Sequence, residues 1–182
     1  MYQKILVALD NSATAEAVFN AALALAQGTE ASLLLVHSLS GQEEGSPLPL
    51  PNTMDSIYWA PGSEVNLELW HQEWVRYETE SLDRLRQFAH RAEAAGVTGE
   101  FRQLVGEPGK VLCKAAQSWG ADLLVLGNRG RSGLSQALLG SVSNYALHHA
   151  PCSVLVLKGA SLERPEGVPA SELQPELPVG PV

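Results

Sequence analysis

Apolar residues in this chain fall into short uninterrupted runs separated by stretches of helical periodicity. Lys4–Leu9, Ser32–Ser38, Gly99–Val105, Asp122–Leu126 and Ser153–Leu157 predict five strands. Centres such as Ile5-Leu6-Val7 and Leu33-Leu34-Leu35-Val36 do not alternate, which suits parallel strands covered on both faces. Between the strands, apolar positions recur at helical steps. Ala13–Gln27 carries Ala17, Ala21 and Leu25 at that spacing and is expected to end at Gly28. Asp10-Asn11-Ser12 supplies side chains suited to the preceding turn and N-cap. In Val65–Ala95, Trp70, Trp74, Tyr77, Ser81, Leu85, Phe88, Ala92 and Ala95 make one apolar face. Pro108–Trp119 opens with a proline, which is tolerated at a first helical position, and Ser141–His149 is the fourth helix. This alternation predicts an α/β fold with a single doubly wound parallel sheet. Ligands of such sheets bind beyond the carboxyl ends of the strands, where the strand order reverses.

Two stretches break the rhythm. Residues 41–64 contain Pro47, Pro49, Pro51 and Pro61 and read as a long loop or lid with extended pieces. Beyond Lys158, five prolines and four glutamates in 24 residues read as an acidic, disordered tail, because so little apolar surface cannot offset the entropy of ordering. The expected organisation is one domain over 1–158 with an insert at about 41–64, followed by a tail over 159–182.

Charge sharpens this picture. The net charge is -8, of which the insert carries -4 and the tail -3. The folded part is therefore nearly neutral and does not repel an anionic ligand. Twelve Lys and Arg in all make no basic face, so no nucleic-acid partner is expected. No apolar run approaches the roughly 20 residues a bilayer requires, so no membrane partner is expected either. Cys113 and Cys152 make no disulfide framework and read as core or near-core thiols, so a reducing cytoplasm is the expected location. His37, His148 and His149 lack the spacing of a metal-ligand set, and structural roles are expected for them.

The candidate chemistry lies after the fourth strand. Gly127-Asn128-Arg129-Gly130-Arg131-Ser132-Gly133 follows it directly, and Gly140-Ser141-Val142-Ser143 opens the next helix. From Leu123 to Leu162 there is neither Asp nor Glu. Glycines let backbone N–H groups approach an anion, and a helix N-terminus offers unpaired donors at the positive end of its dipole. Arg129, Arg131 and the serine hydroxyls add donors. Taken singly, the same residues would read as turn glycines, an N-cap and solvated arginines. A Walker A loop is excluded, since no lysine follows Gly140 and Gly109-Lys110 is followed by valine. The dinucleotide fingerprint G-x-G-x-x-G is absent too, because these glycines are spaced G-x-x-G-x-x-G.

Gly127, Gly130, Gly140 and Ser141 satisfy a different pattern, G-x-x-G, nine residues, then G-[ST]. In this the chain resembles the ATP-binding members of the universal stress protein family. The opening Tyr2-Gln3-Lys4-Ile5-Leu6-Val7-Ala8-Leu9-Asp10-Asn11-Ser12 and the late Ala150-Pro151-Cys152-Ser153-Val154-Leu155-Val156-Leu157 also resemble that family, over roughly residues 1–158 without the insert.

The resemblance implies a Rossmann-like sheet of order 3-2-1-4-5 and a site for ATP or another adenine nucleotide, with or without Mg²⁺. It implies that the main chain at Gly127, Arg129 and Gly130, with donors at Gly140, Ser141, Val142 and Ser143, holds the phosphates and ribose. Asp10 would accept from the ribose hydroxyls or sit near a metal-bound phosphate; otherwise it is a neighbour of the helix N-cap. Ala8, Leu9, Ser38 and Leu126 would frame the adenine, mostly through backbone groups, and could equally be core. Nucleotide would order the 127–143 segment and act on an unknown protein partner in a stress response. A homodimer through strand 153–157, centred on Val154 and Val156, is also implied. No catalytic residue is expected and no protein-borne metal site. The alternatives are a slow ATP hydrolase, or a dimeric scaffold that binds no nucleotide.

Overall fold

A computed structural model describes residues 2–41, 45–47, 67–128 and 139–158. Five strands, β1 (Lys4–Ala8), β2 (Ser32–Leu39), β3 (Gly99–Val105), β4 (Leu123–Asn128) and β5 (Ser153–Lys158), form one parallel sheet of order β3-β2-β1-β4-β5. Four helices, α1 (Ala15–Thr29), α2 (Leu67–Ala94), α3 (Pro108–Trp119) and α4 (Ser141–His149), complete the described elements. The predicted α/β architecture and strand order are both present. The insert lies largely, and the 159–182 tail wholly, outside the described residues.

The continuous apolar runs divide by the two-residue period of a strand. Ile5, Val7, Leu33, Leu35, Leu123 and Val125 pack with Val18, Phe19 and Ala22 of α1 and Leu85, Phe88 and Ala92 of α2. Leu6, Leu34, Val36, Leu124 and Leu126 pack on the other face with Leu112, Ala115 and Ala116 of α3 and Ala146 of α4. Both faces are covered, which is why neither could be polar. The predicted face of α2 is buried from Tyr77 through Ala92, whereas Trp70 and Trp74 are half-exposed and stack on each other.

Several boundaries differ from the sequence expectation. α1 runs through Gly28 instead of ending there. Its left-handed C-cap is Glu30 (φ 55°, ψ 34°), and the following residue, Ala31, donates its N–H to the Ala26 carbonyl. The N-cap position is Thr14, not the Asp10–Ser12 segment, and no side chain caps it. β1 stops at Ala8, although the Leu9 N–H still bonds the Val36 carbonyl at 2.9 Å. β4 runs on to Asn128, so Gly127 is a strand residue paired with Leu157 and does not open a loop.

His37 is buried near Tyr77, with Gln103 Nε2 3.3 Å from its Nδ1. Cys113 and Cys152 are free thiols at the margin of the core, and partial burial pushes both upward in pKa. Among the described residues, no helix is long and apolar enough to cross a membrane.

Candidate functional site

A cavity of about 170 Å³ opens at the carboxyl ends of β1, β2 and β4, on the face covered by α3 and α4. That is more than ten times the ~10–15 Å³ one water needs, so it has room for a small molecule. β1 and its turn contribute Ala8, Leu9 and Asp10, and β2 and the residue following it contribute Val36, Ser38 and Ser40. β4 contributes Leu126 and Gly127, α3 contributes Pro108 and Leu112, and α4 with its cap contributes Gly140, Ser141, Val142 and Ser143. Ten of the twelve residues singled out in the sequence thus line one cavity. The other two, Arg129 and Gly130, lie outside the described residues, as does Arg131.

The sheet order gives the cavity two ends. β2 with α3 bounds one and β4 with α4 the other, with β1 between them. At the α4 end, the first N–H groups of the helix have no intrahelical acceptor, and no side chain caps Gly140 (φ -63°, ψ 159°). Asn128 Oδ1 accepts from the Gly140 N–H at 3.2 Å and ties the end of β4 to the start of α4. Donors at Ser141, Val142 and Ser143 therefore stand at the positive end of the helix dipole. Asp10 is the single ionised side chain among the described lining residues.

The two described motif glycines exist for different reasons. A Cβ on Gly127 would stand 3.0 Å from Val18 Cγ2, close enough that the Val18 side chain on α1 would have to give way by a few tenths of an ångström. A Cβ on Gly140 would meet only Asn128 Oδ1 at an ordinary 3.5 Å, and its φ suits any residue. The protein's own described packing does not require glycine at position 140.

Asp10 is held by its own turn. Its Oδ1 accepts from the Ser12 N–H at 2.9 Å and from the Ser12 hydroxyl, which is an Asx turn. That turn is braced from α2, where Arg84 donates through Nη1 to the Asn11 carbonyl at 2.8 Å and through Nη2 to the Ser12 carbonyl at 3.1 Å. Asn11 Nδ2 donates to Ser81 Oγ at 2.7 Å, and that hydroxyl donates to the Tyr77 carbonyl at 2.6 Å. Two α2 residues, Arg84 and Ser81, thus fix a turn about 70 positions earlier in the chain.

Sequence reasoning missed Val36, Ser40, Pro108 and Leu112 in the wall, and Asn128 and Arg84 as supports. Apolar wall residues look like core, and Arg84 sits on a helix whose sequence gives no sign of the turn it reaches. Asn128 lay inside the motif at a variable position, so its link to Gly140 was the one detectable in principle. Ser38, by contrast, was singled out, but its hydroxyl donates to the Gly106 carbonyl at 3.0 Å. That bond uses the hydroxyl's one donor and leaves its lone pairs and the Ser38 backbone at the wall.

With this geometry in view, the model of the universal stress protein family matches residues 1–158. The chain belongs to that family. Universal stress protein Slr1101 of Synechocystis sp. is 45% identical over 104 residues, covering 57% of this chain and 96% of that protein. Universal stress protein Sll1388 of the same organism is 35% identical over 160 residues, covering 86% of this chain and 98% of that protein. Among solved structures, a universal stress protein in complex with cAMP is 26% identical with a TM-score of 0.55, covering 87% of this chain and 98% of that one. The sequence resemblance and the family assignment therefore agree.

Proposed function

We propose that this universal stress protein binds an adenine nucleotide in the cavity at the carboxyl ends of β1, β2 and β4 and responds to it as a regulator. One observation carries the reading: an apolar slot and an uncapped helix N-terminus lie at opposite ends of a single cavity. A nucleotide has the same polarity, with a flat base at one end and phosphates at the other. Its phosphates would meet donors of Gly140, Ser141, Val142 and Ser143, and those of Arg129 and Gly130 in the same motif. Its base would lie among Ala8, Val36, Leu112, Pro108 and Leu126, with backbone polar groups of Leu9 and Ser38 at its edge. Asp10, centrally placed, would accept from the ribose hydroxyls. The relative solved with cAMP supports an adenine ligand over other phosphorylated ones.

Mg²⁺ fits this site as a companion of the triphosphate. The described wall offers one carboxylate, Asp10, and Mg²⁺ is commonly held by one or two carboxylates plus substrate phosphates. Bound Mg²⁺ would neutralise phosphate charge, while the chain's own groups position and enclose the nucleotide. A cytoplasmic location accords with two free thiols.

The regulatory mechanism would be a shift of population. A ligand spanning the cavity contacts segments after β1, β2 and β4 at once and favours whichever arrangement brings them together. β5 would carry the response to a second copy of the chain. It is an edge strand with Val154, Leu155, Val156 and Leu157 only partly buried, and two-fold pairing would remove that edge. Val154→Lys is expected to turn a dimer into monomer or precipitate, read by sedimentation at tens of micromolar; a dimer unmoved by it excludes this pairing.

Calorimetry and thermal melts with ATP, ADP and AMP on nucleotide-free protein test the central reading. A nucleotide at 100 times its Kd adds about 2.7 kcal/mol, a plain rise in Tm. Absence of both heat and shift at millimolar concentrations excludes the proposal. Chromatography of the supernatant from denatured protein would show which nucleotide it carries.

A further inference from the structure

One wall residue is unaccounted for by packing. Ser40 directly follows β2, lines the cavity and is 9% exposed. Its Oγ is fully enclosed, and among the described residues it is the buried side-chain polar atom with no hydrogen-bond partner. Its neighbour in the wall, Ser38, is also buried, but its hydroxyl donates to the Gly106 carbonyl. A buried hydroxyl without a partner weakens the folded state, so such a group calls for a reason. Ser40 follows β2 on the same side as Val36 and Ser38, at the β2–α3 end of the cavity, whereas α4 bounds the β4 end. In this apolar slot little else polar is offered by side chains to a base.

We propose that Ser40 Oγ is the specificity contact for the base, accepting a hydrogen bond from the exocyclic 6-amino group of adenine. The inference rests on the nucleotide reading of the cavity and adds the atom that reads the base. A rotation about χ1 is enough to re-aim a serine hydroxyl, and in doing so it would exchange an unsatisfied state for a paired one. Part of the affinity for adenine would then come from relieving a cost present in the free protein. Sites built to pair a polar group of their ligand discriminate sharply against analogues lacking it.

The test is a cycle of two proteins and two ligands: wild type and Ser40→Ala, each titrated calorimetrically with ATP and with purine riboside 5′-triphosphate, which lacks the 6-amino group. Wild type is expected to favour ATP by about tenfold, the scale of one buried hydrogen bond. Ser40→Ala should lose about that factor for ATP, bind the analogue as wild type does, and so bind the two ligands alike. Without ligand, Ser40→Ala should melt at or above the wild-type temperature, because an unsatisfied hydroxyl has been removed. Equal weakening toward both ligands, unchanged ATP affinity, or a lower ligand-free Tm would overturn the assignment while leaving the nucleotide site standing. Wild type that binds neither ligand fails the nucleotide reading itself, and Ser40 with it.

Discussion

Two aspartates at opposite edges of the sheet show how similar local chemistry serves different ends. At the carboxyl edge, Asp10 accepts from the N–H and hydroxyl of Ser12 and lines the cavity. At the amino edge, Asp122 Oδ2 accepts from the N–H groups of Gln3 and Lys4, each at 2.9 Å, and joins the start of β4 to that of β1. Each carboxylate terminates backbone donors at a strand end. The cavity, the uncapped start of α4 and the described motif glycines Gly127 and Gly140 all lie at the carboxyl edge. Around Asp122 the contacts are structural: Lys4 Nζ donates to the Trp119 carbonyl at 3.0 Å and lies over the Trp119 ring. The difference follows from parallel strands, whose connections return to the amino edge as closing links and leave the carboxyl edge for ligands.

The largest effect expected is at the start of α4. Ser141→Glu should reduce nucleotide affinity at least 100-fold, because it sets a carboxylate where phosphate would bind. The ligand-free protein should melt at or slightly above wild type, since an acid in a first helical turn is worth about 0.3–1 kcal/mol. A nucleotide-induced Tm shift of wild-type size in Ser141→Glu would break the functional half of the comparison.

Next come the two motif glycines. Gly127→Ala should cost about 1–3 kcal/mol of stability through the clash with Val18, as overpacking does. Gly140→Ala should leave urea unfolding within about 0.5 kcal/mol of wild type, the range of substitutions that disturb no packing, and weaken nucleotide binding. Equal destabilisation by both changes would mean that neither glycine is there for the ligand.

The aspartates themselves give a smaller, reciprocal pair. Asp10→Ala should lower nucleotide affinity about tenfold by removing an acceptor for the ribose. Asp122→Ala should leave affinity untouched and cost about 1 kcal/mol, the low end for charged hydrogen bonds because Asp122 is exposed. If Asp122→Ala changes affinity as much as Asp10→Ala does, the two edges are not separable.

The smallest effect is one of pH. Hydrogen bonds from Gln3 and then Lys4 hold the Asp122 carboxyl below its usual range. A depressed folded-state pKa stabilises above the unfolded value of about 3.9, and that contribution is lost as pH falls through the lowered value. The stability gap between wild type and Asp122→Ala should therefore be constant above about pH 5 and narrow below about pH 4. A gap that widens in acid would reverse the assigned cause.

The sequence by itself determined the sheet and the glycine-serine end of the cavity. Uninterrupted runs such as Leu33–Val36 require burial on both faces, and only a helix-covered parallel sheet supplies it. Gly140 and Ser141 were legible because they belong to a spaced glycine-serine motif. The β2–α3 end of the cavity left no such trace. Val36, Leu112 and Pro108 line the cavity with ordinary apolar surface, and in the sequence they are indistinguishable from core. The tertiary structure alone decided that Gly127 serves the packing of α1, that Arg84 and Ser81 brace the turn of Asp10, and that the Ser40 hydroxyl is enclosed without a partner. Each of these depends on how segments far apart in the chain meet, and no local pattern encodes which distant side chain will arrive.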